Sequence, residues 1–177
     1  ISARREPERG LTPLGTMDSL SSPQEGRKPN PVSAIVFVIA ILAVSMAIGY
    51  VTRPGEWYAG LDKPVFNPPG WVFGPVWTGL YVLIAIAGWR ILRNPAAGRA
   101  KTVWIVQMVL NWAWSPAFFG AHMPWLAFII IVAMLVAILA FIAAAWKPDR
   151  VSALLFLPYL AWVSFATLLN GAIAVMN

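Results

Sequence analysis

The chain has 177 residues, of which 59% are hydrophobic and 11% charged, with a mean hydropathy of +0.70 and a formal net charge of +6. A soluble domain carries roughly a quarter charged residues, so this composition points to a chain solvated mainly by lipid. Cysteine is absent, which excludes disulfides, thiolate catalysis and Cys-ligated metals, and the single histidine, His122, excludes any site that needs two imidazoles.

Residues 1–31 stand apart. They hold Arg4, Arg5, Arg9, Arg27 and Lys28 among prolines, serines and glycines, with no apolar run. This reads as a disordered basic tail rather than a secretory signal, because no hydrophobic region follows its basic residues. The chain opens on Ile1, and Met17 is a candidate natural start.

Five apolar stretches follow, at about Val32–Val51, Pro68–Leu92, Thr102–Gly120, Pro124–Trp146 and Val151–Met176. Each is long enough for a spanning helix, which needs about 20 mainly apolar residues. The expected fold is therefore an all-α membrane protein, a five-transmembrane-helix bundle over residues 32–177. With Arg90 at an interface, none of the five carries an ionisable side chain in its interior, so ion coupling has no obvious group to act through.

Lys and Arg are distributed unevenly between the two sides. Arg4, Arg5, Arg9, Arg27, Lys28, Arg90, Arg93, Arg99, Lys101, Lys147 and Arg150 fall on one side, and only Arg53 and Lys63 on the other. That bias predicts a cytoplasmic N-terminus and places the first loop outside; inner and outer membranes are not distinguished. A basic excess of this kind sets orientation, and no nucleic-acid partner is expected.

The first loop, about residues 52–67, carries Pro54 and Pro64 and meets Pro68 and Pro69. Each proline fixes its own φ and holds its predecessor extended, so Lys63 and Asn67 should be extended. Asn67 is a candidate N-cap with Pro68 at the first helical position. Trp57, Tyr58 and Phe66 make the loop a candidate lid rather than a plain connector, and Lys63 and Arg53 are cations that could meet carboxylates of an amphiphilic ligand.

In the second stretch Trp77 and Tyr81 share a face, and Trp77 lies about 13 Å past Pro68, too deep for an interfacial belt. Trp71, Trp89, Trp104, Trp125 and Trp146 sit at expected helix ends and read as belt residues. In the third, Gln107, Asn111 and Ser115 form one polar stripe that must face inward, either as glue between helices or as a ligand contact. Pro116 should kink that helix and widen the bundle on the loop side. The fourth has Ala133/Ala137 and Ala140/Ala144 at close-packing spacing. The fifth aligns Tyr159, Trp162, Ala166 and Leu169, with Trp162 at mid-membrane. Trp77, Asn111, Trp114, Trp162 and Asn170 all fall between mid-bilayer and the loop side. They predict an uncharged, aromatic-walled pocket there, capped by the lid and suited to a flat hydrophobic ligand.

These residues resemble the TspO/MBR family, the tryptophan-rich sensory proteins related to the mitochondrial translocator protein. The resemblance rests on W-Y-x-x-L-x-K-P-x-F-x-P-P-x-W-V-F at 57–73, P-V-W-T-x-L-Y at 75–81, N-W-A-W-S-P-x-F-F-G at 111–120 and P-Y-L-A-W-x-x-F-A-T-x-L-N at 158–170. It implies a five-helix bundle, often dimeric, that binds protoporphyrin or haem as ligand without an obligatory cofactor. By motif position it implies that Trp77 and Trp162 are pocket tryptophans associated with tetrapyrrole binding and light-driven breakdown. Asn111, Trp125, Ala166 and Leu169 are further pocket positions on the same basis. Sterol-like ligands bind animal relatives, but the Tyr and basic residue of the animal sterol motif have no counterpart in Gly171–Asn177. A tetrapyrrole-binding sensor or translocator is thus the leading expectation. The alternatives are light- and oxygen-dependent porphyrin degradation, a small-solute carrier and a structural scaffold.

Overall fold

The computed structural model describes residues 31–177, and the expected basic tail lies, apart from Pro31, outside the described residues. The described chain is helical: α1 (Pro31–Val51), the short α2 (Glu56–Gly60), α3 (Phe73–Arg93), α4 (Gly98–Ser115), α5 (Pro124–Ala145), the short α6 (Arg150–Leu155) and α7 (Leu157–Met176). Four helical segments are long and apolar enough to cross a membrane: Pro31–Val51, Gly70–Arg93, Pro124–Ala145 and Arg150–Met176. The third expected span is not among them. Its α-helix begins at Gly98 and takes in Arg99, Lys101, Gln107 and Asn111, which lower its apolar character.

Prolines shape the helix ends. Asn67 does not cap α3, because Pro69 holds Pro68 extended and delays the helix to a 3-10 turn at Gly70–Val72. Its side chain instead accepts from the Tyr58 hydroxyl at 3.3 Å and donates to Pro68 O at 3.2 Å. Pro116 lacks the N–H that would continue α4, and residues Pro116–Gly120 widen into a π-turn, with Ala121 N–H donating to Pro116 O at 2.8 Å. The turn that follows places His122 at φ 57°. Asp149 caps α6, accepting from Ser152 N–H at 3.4 Å.

The lower core, at the end rich in Arg and Lys, is closed. Ile84, Ala87 and Ile91 of α3, Ile138, Phe141 and Ala145 of α5, and Phe156 are fully buried. Trp104 is buried as well, not an interfacial residue: Gly88 has no Cβ, the indole fills that space, and its N–H reaches Ile84 O at 3.1 Å. In α5 the two alanine pairs divide, with Ala137 buried and Ala133 and Ala140 exposed. At the same end Arg90 grips Asp149 with two hydrogen bonds of 2.9 Å, Asp149 also accepts from the Ser152 hydroxyl at 2.8 Å, and Asn94 Nδ2 donates to Pro148 O at 3.0 Å. This cluster ties the α3–α4 connection to the α5–α6 connection. Burial acts to raise the Asp149 carboxyl's pKa, but the hydrogen bonds from Arg90 and Ser152 outweigh it and hold the group below its usual range.

Candidate ligand cavity

Above that closed end the helices separate around a cavity of about 750 Å³. Its volume lies within the roughly 300–1,000 Å³ usual for small-molecule sites. From α3 it is lined by Phe73, Gly74, Trp77, Thr78 and Tyr81; from α4 and the π-turn by Asn111, Trp114, Ser115, Phe118 and Phe119. The α7 wall contributes Trp162, Ala166, Leu169, Asn170 and Ile173, α1 contributes Ser45, Met46, Ile48, Gly49 and Tyr50, and Thr52 follows just past its end. Among the described residues that line it, none is charged and none is His or Cys. Such a wall offers flat apolar faces and a few neutral polar groups.

Ring geometry organises the wall. Trp77 stacks on Tyr81 at 5.4 Å and 30°, and Phe73 meets Trp162 edge-on at 5.8 Å. Trp114 stacks on Phe118 at 5.4 Å and 22°. The polar stripe of α4 faces inward as expected. Tyr81 O–H donates to Asn111 Oδ1 at 2.7 Å, Asn111 Nδ2 donates to Tyr159 Oη at 2.7 Å, and Tyr159 O–H donates to Met134 Sδ at 3.1 Å. Asn111 therefore joins α3, α4 and α7, Tyr159 carries the chain of bonds on to α5, and Asn111 also lines the cavity. Trp114 N–H donates to Asn170 Oδ1 at 2.9 Å, and Asn170 Nδ2 donates to Pro124 O at 3.0 Å. Two buried polar groups have no partner among the described residues: both amide atoms of Gln107, below the cavity, and the indole N–H of Trp162, in its wall.

The loop forms a roof. Trp57, on α2, stacks on His122 at 4.4 Å and 18° and meets Phe118 edge-on at 5.8 Å. Tyr58 packs edge-on against Phe119 at 5.3 Å, and Phe66 against Phe165 of α7 at 6.3 Å. Burial pushes the Tyr58 phenol above its ordinary pKa, partly offset by its hydrogen bond to Asn67, so it stays a neutral donor at physiological pH. Asp62 N–H donates to Asn177 Oδ1 and Asn177 Nδ2 to Asp62 O, each at 3.0 Å, pinning the loop to the end of α7.

Of the residues singled out in the sequence, the fold brings Trp77, Tyr81, Asn111, Trp114, Trp162, Ala166 and Leu169 together on the cavity wall. Tyr58, Ser115 and Asn170 line it too, and the others lie elsewhere. Tyr159 is fully buried beneath the floor, Trp57 and Phe66 brace the roof, and Trp125 is 57% exposed at the start of α5, edge-on to Phe128. Lys63 is occupied within the loop: its Nζ donates to Ala59 O at 3.2 Å and Leu61 O at 2.9 Å and lies 4.8 Å from the centre of the Tyr58 ring. Arg53 lies outside the cavity with its guanidinium 5.4 Å from the centre of the Tyr50 ring. Sequence reasoning missed the α1 wall and the Phe118–Phe119 pair. The signal for the pair was Pro116; α1, almost uniformly apolar, carried none.

Comparison with known proteins places the chain in a family. Residues 34–176 match the TspO/MBR family. The chain is similar to the tryptophan-rich protein TspO of Archaeoglobus fulgidus, 38% identical over 152 residues that cover 84% of this chain and 99% of that one. It is similar to protein CrtK of Rhodobacter capsulatus, 34% identical over 81% of this chain and 91% of that one. It also resembles the human translocator protein, 38% identical over 65% of this chain and 71% of that one. With its apolar helices, the chain is an integral membrane protein, and it belongs to the TspO/MBR family.

Proposed function

We propose that the protein binds a tetrapyrrole such as protoporphyrin in the roofed cavity and acts as a membrane sensor or translocator for it. The observation that carries the reading is an uncharged cavity of about 750 Å³ walled by Trp77, Tyr81, Trp114 and Trp162. A macrocycle has two large apolar faces, and each stacked aromatic contributes about 0.5–1.5 kcal/mol beyond area burial. Trp162 lines the cavity, and its indole N–H is buried with no partner among the described residues. With no His or Cys among the described wall residues, the axial ligands left to a haem iron would be Met46 and the cavity tyrosines, and the wall is built chiefly for the ring's faces.

In this reading five segments cross the bilayer. Gly98–Ser115 and the π-turn to Gly120 together rise roughly 34 Å at 1.5 Å per residue, and the buried amides of α4 face other helices. The basic end lies in the cytoplasm with the N-terminus, and the roof lies on the outer side. The protein works as a homodimer, as the family resemblance implies. The test is a protoporphyrin titration of the purified protein, followed by tryptophan quenching and porphyrin absorbance, in the parent and in Trp77→Phe/Trp162→Phe.

A further inference from the structure

We propose that the cavity is filled sideways from the bilayer, through a gap between the roof-side halves of α1 and α3, and that the roof is a fixed cover rather than the door. The proposal rests on the binding role given above to the same cavity and adds where the ligand enters and which ligands are favoured.

The hydrogen bonds of α1 show how the gap arises. Near its start α1 lies against α3, where Trp89 N–H donates to Ser33 Oγ at 3.3 Å. Midway it lies against α4, where Trp112 N–H donates to Ser45 Oγ at 3.0 Å. At its end the Thr52 hydroxyl pairs with the Ser115 hydroxyl, again at α4. So α1 leans from α3 toward α4 as it rises and leaves α3 behind.

The edges of the resulting gap are bare. Gly49 on α1 faces open space, as do Gly70 in the 3-10 turn before α3 and Gly74 in its first turn, and a Cβ at any of the three would meet nothing within 4 Å. All three line the cavity and are also exposed on the outer surface. Met46 and Tyr50 behave alike, lining the cavity while 51% and 72% exposed. The far wall is the reverse, with Asn111, Leu169 and Ile173 no more than 5% exposed. Residues that belong to both a cavity and the outer surface mark where the cavity opens, and they cluster between α1 and α3. The roof contributes one such residue, Pro54, where the loop leaves α1 beside Tyr50, and none in its fastened part, where Trp57 stacks on His122 and Asp62 is tied to Asn177.

The rim narrows the ligand class. Arg53 holds its guanidinium over Tyr50 at the upper edge of the gap, at the level where a helix end meets headgroups. An apolar, flat molecule dissolves in the leaflet and crosses past Met46 and the glycines without passing through water. One carrying an anionic edge is guided by Arg53. The entrance therefore favours membrane-dissolved anionic amphiphiles over water-soluble solutes.

The chain has no cysteine, so Ala166→Cys puts a single thiol on the far cavity wall. In liposomes that thiol is offered a bilayer-soluble neutral maleimide, a membrane-impermeant sulfonated maleimide and a long-chain maleimido acid. The expected result is labelling by the bilayer-soluble reagents about tenfold or more faster than by the impermeant one, and slowed about tenfold by adding Gly74→Trp or, from the other edge, Gly49→Trp. The acid should outpace the neutral reagent, and Arg53→Gln should abolish that preference. Equal labelling by the impermeant reagent, or no slowing in whichever tryptophan variant folds, overturns the lateral entrance. Loss of the acid's preference in the parent overturns the role of Arg53. Labelling reads access and not affinity, so these outcomes are separate from a failure of protoporphyrin to bind.

Discussion

Asn111→Leu should loosen the bundle, because the amide ties α4 to α3 and α7. Its oxygen accepts from Tyr81 at 2.7 Å and its nitrogen donates to Tyr159 at 2.7 Å, so the change removes two interhelical hydrogen bonds while keeping the branched shape of the side chain. Tyr159 retains Met134 Sδ as an acceptor, and Tyr81 lines the cavity, so neither hydroxyl becomes a sealed, unpaired donor. Only the bonds themselves are then lost. Interhelical hydrogen bonds in membrane proteins average about 0.6 kcal/mol and reach about 1.7, which makes the expected cost about 1–3 kcal/mol for the pair. The assay is reversible unfolding in mixed micelles for the parent, Asn111→Leu, Tyr159→Phe and the double variant. The cycle should give a coupling of about 0.5–2 kcal/mol between the two positions. A variant as stable as the parent, with no coupling to Tyr159, would refute the junction.

Gln107→Met should stabilise the protein by about 1–3 kcal/mol in the same assay, because it removes an amide buried with no partner among the described residues; destabilisation would mean that the amide is satisfied by a bound water. The Asp149 carboxyl has a folded pKa below its unfolded value of about 3.9, so the stability it adds is complete above that value and fades as the pH falls through the folded one. The Arg90 side chain is 38% exposed, so this contribution is about 0–1 kcal/mol, and Asp149→Asn should flatten the acid limb of a stability–pH profile measured between pH 6 and 3.

The helices and much of the cavity were legible because lipid simplifies the problem. Long apolar runs announce helices, and an indole or amide far from both interfaces demands an inward explanation, which is how Trp77, Asn111 and Trp162 were found. What the sequence hid depended on geometry between segments. Trp104 sits near a helix start and passes for an interfacial residue until Gly88, distant in sequence, is seen to make room for it. Lys63 looks like a free loop cation, but the chain turns so that its own carbonyls receive the ammonium. Asn67 has the chemistry of a cap, yet the second of two prolines moves the helix start beyond its reach. The π-turn at Pro116 swings Phe118 and Phe119 into the wall, a displacement that a proline signals without giving its direction. Tyr50 of α1 and Thr52 just past its end became wall residues only through the lean of that helix toward α4.

The central claim is tested most directly by a protoporphyrin isotherm on purified protein. Saturation at one porphyrin per chain in the micromolar range is expected, at about −8 kcal/mol. Trp77→Phe/Trp162→Phe should weaken it by about 1–3 kcal/mol, roughly five- to 150-fold, through two stacking contacts. Saturable binding that is indifferent to both substitutions would place the ligand somewhere other than this cavity, and no saturable binding would remove the tetrapyrrole altogether.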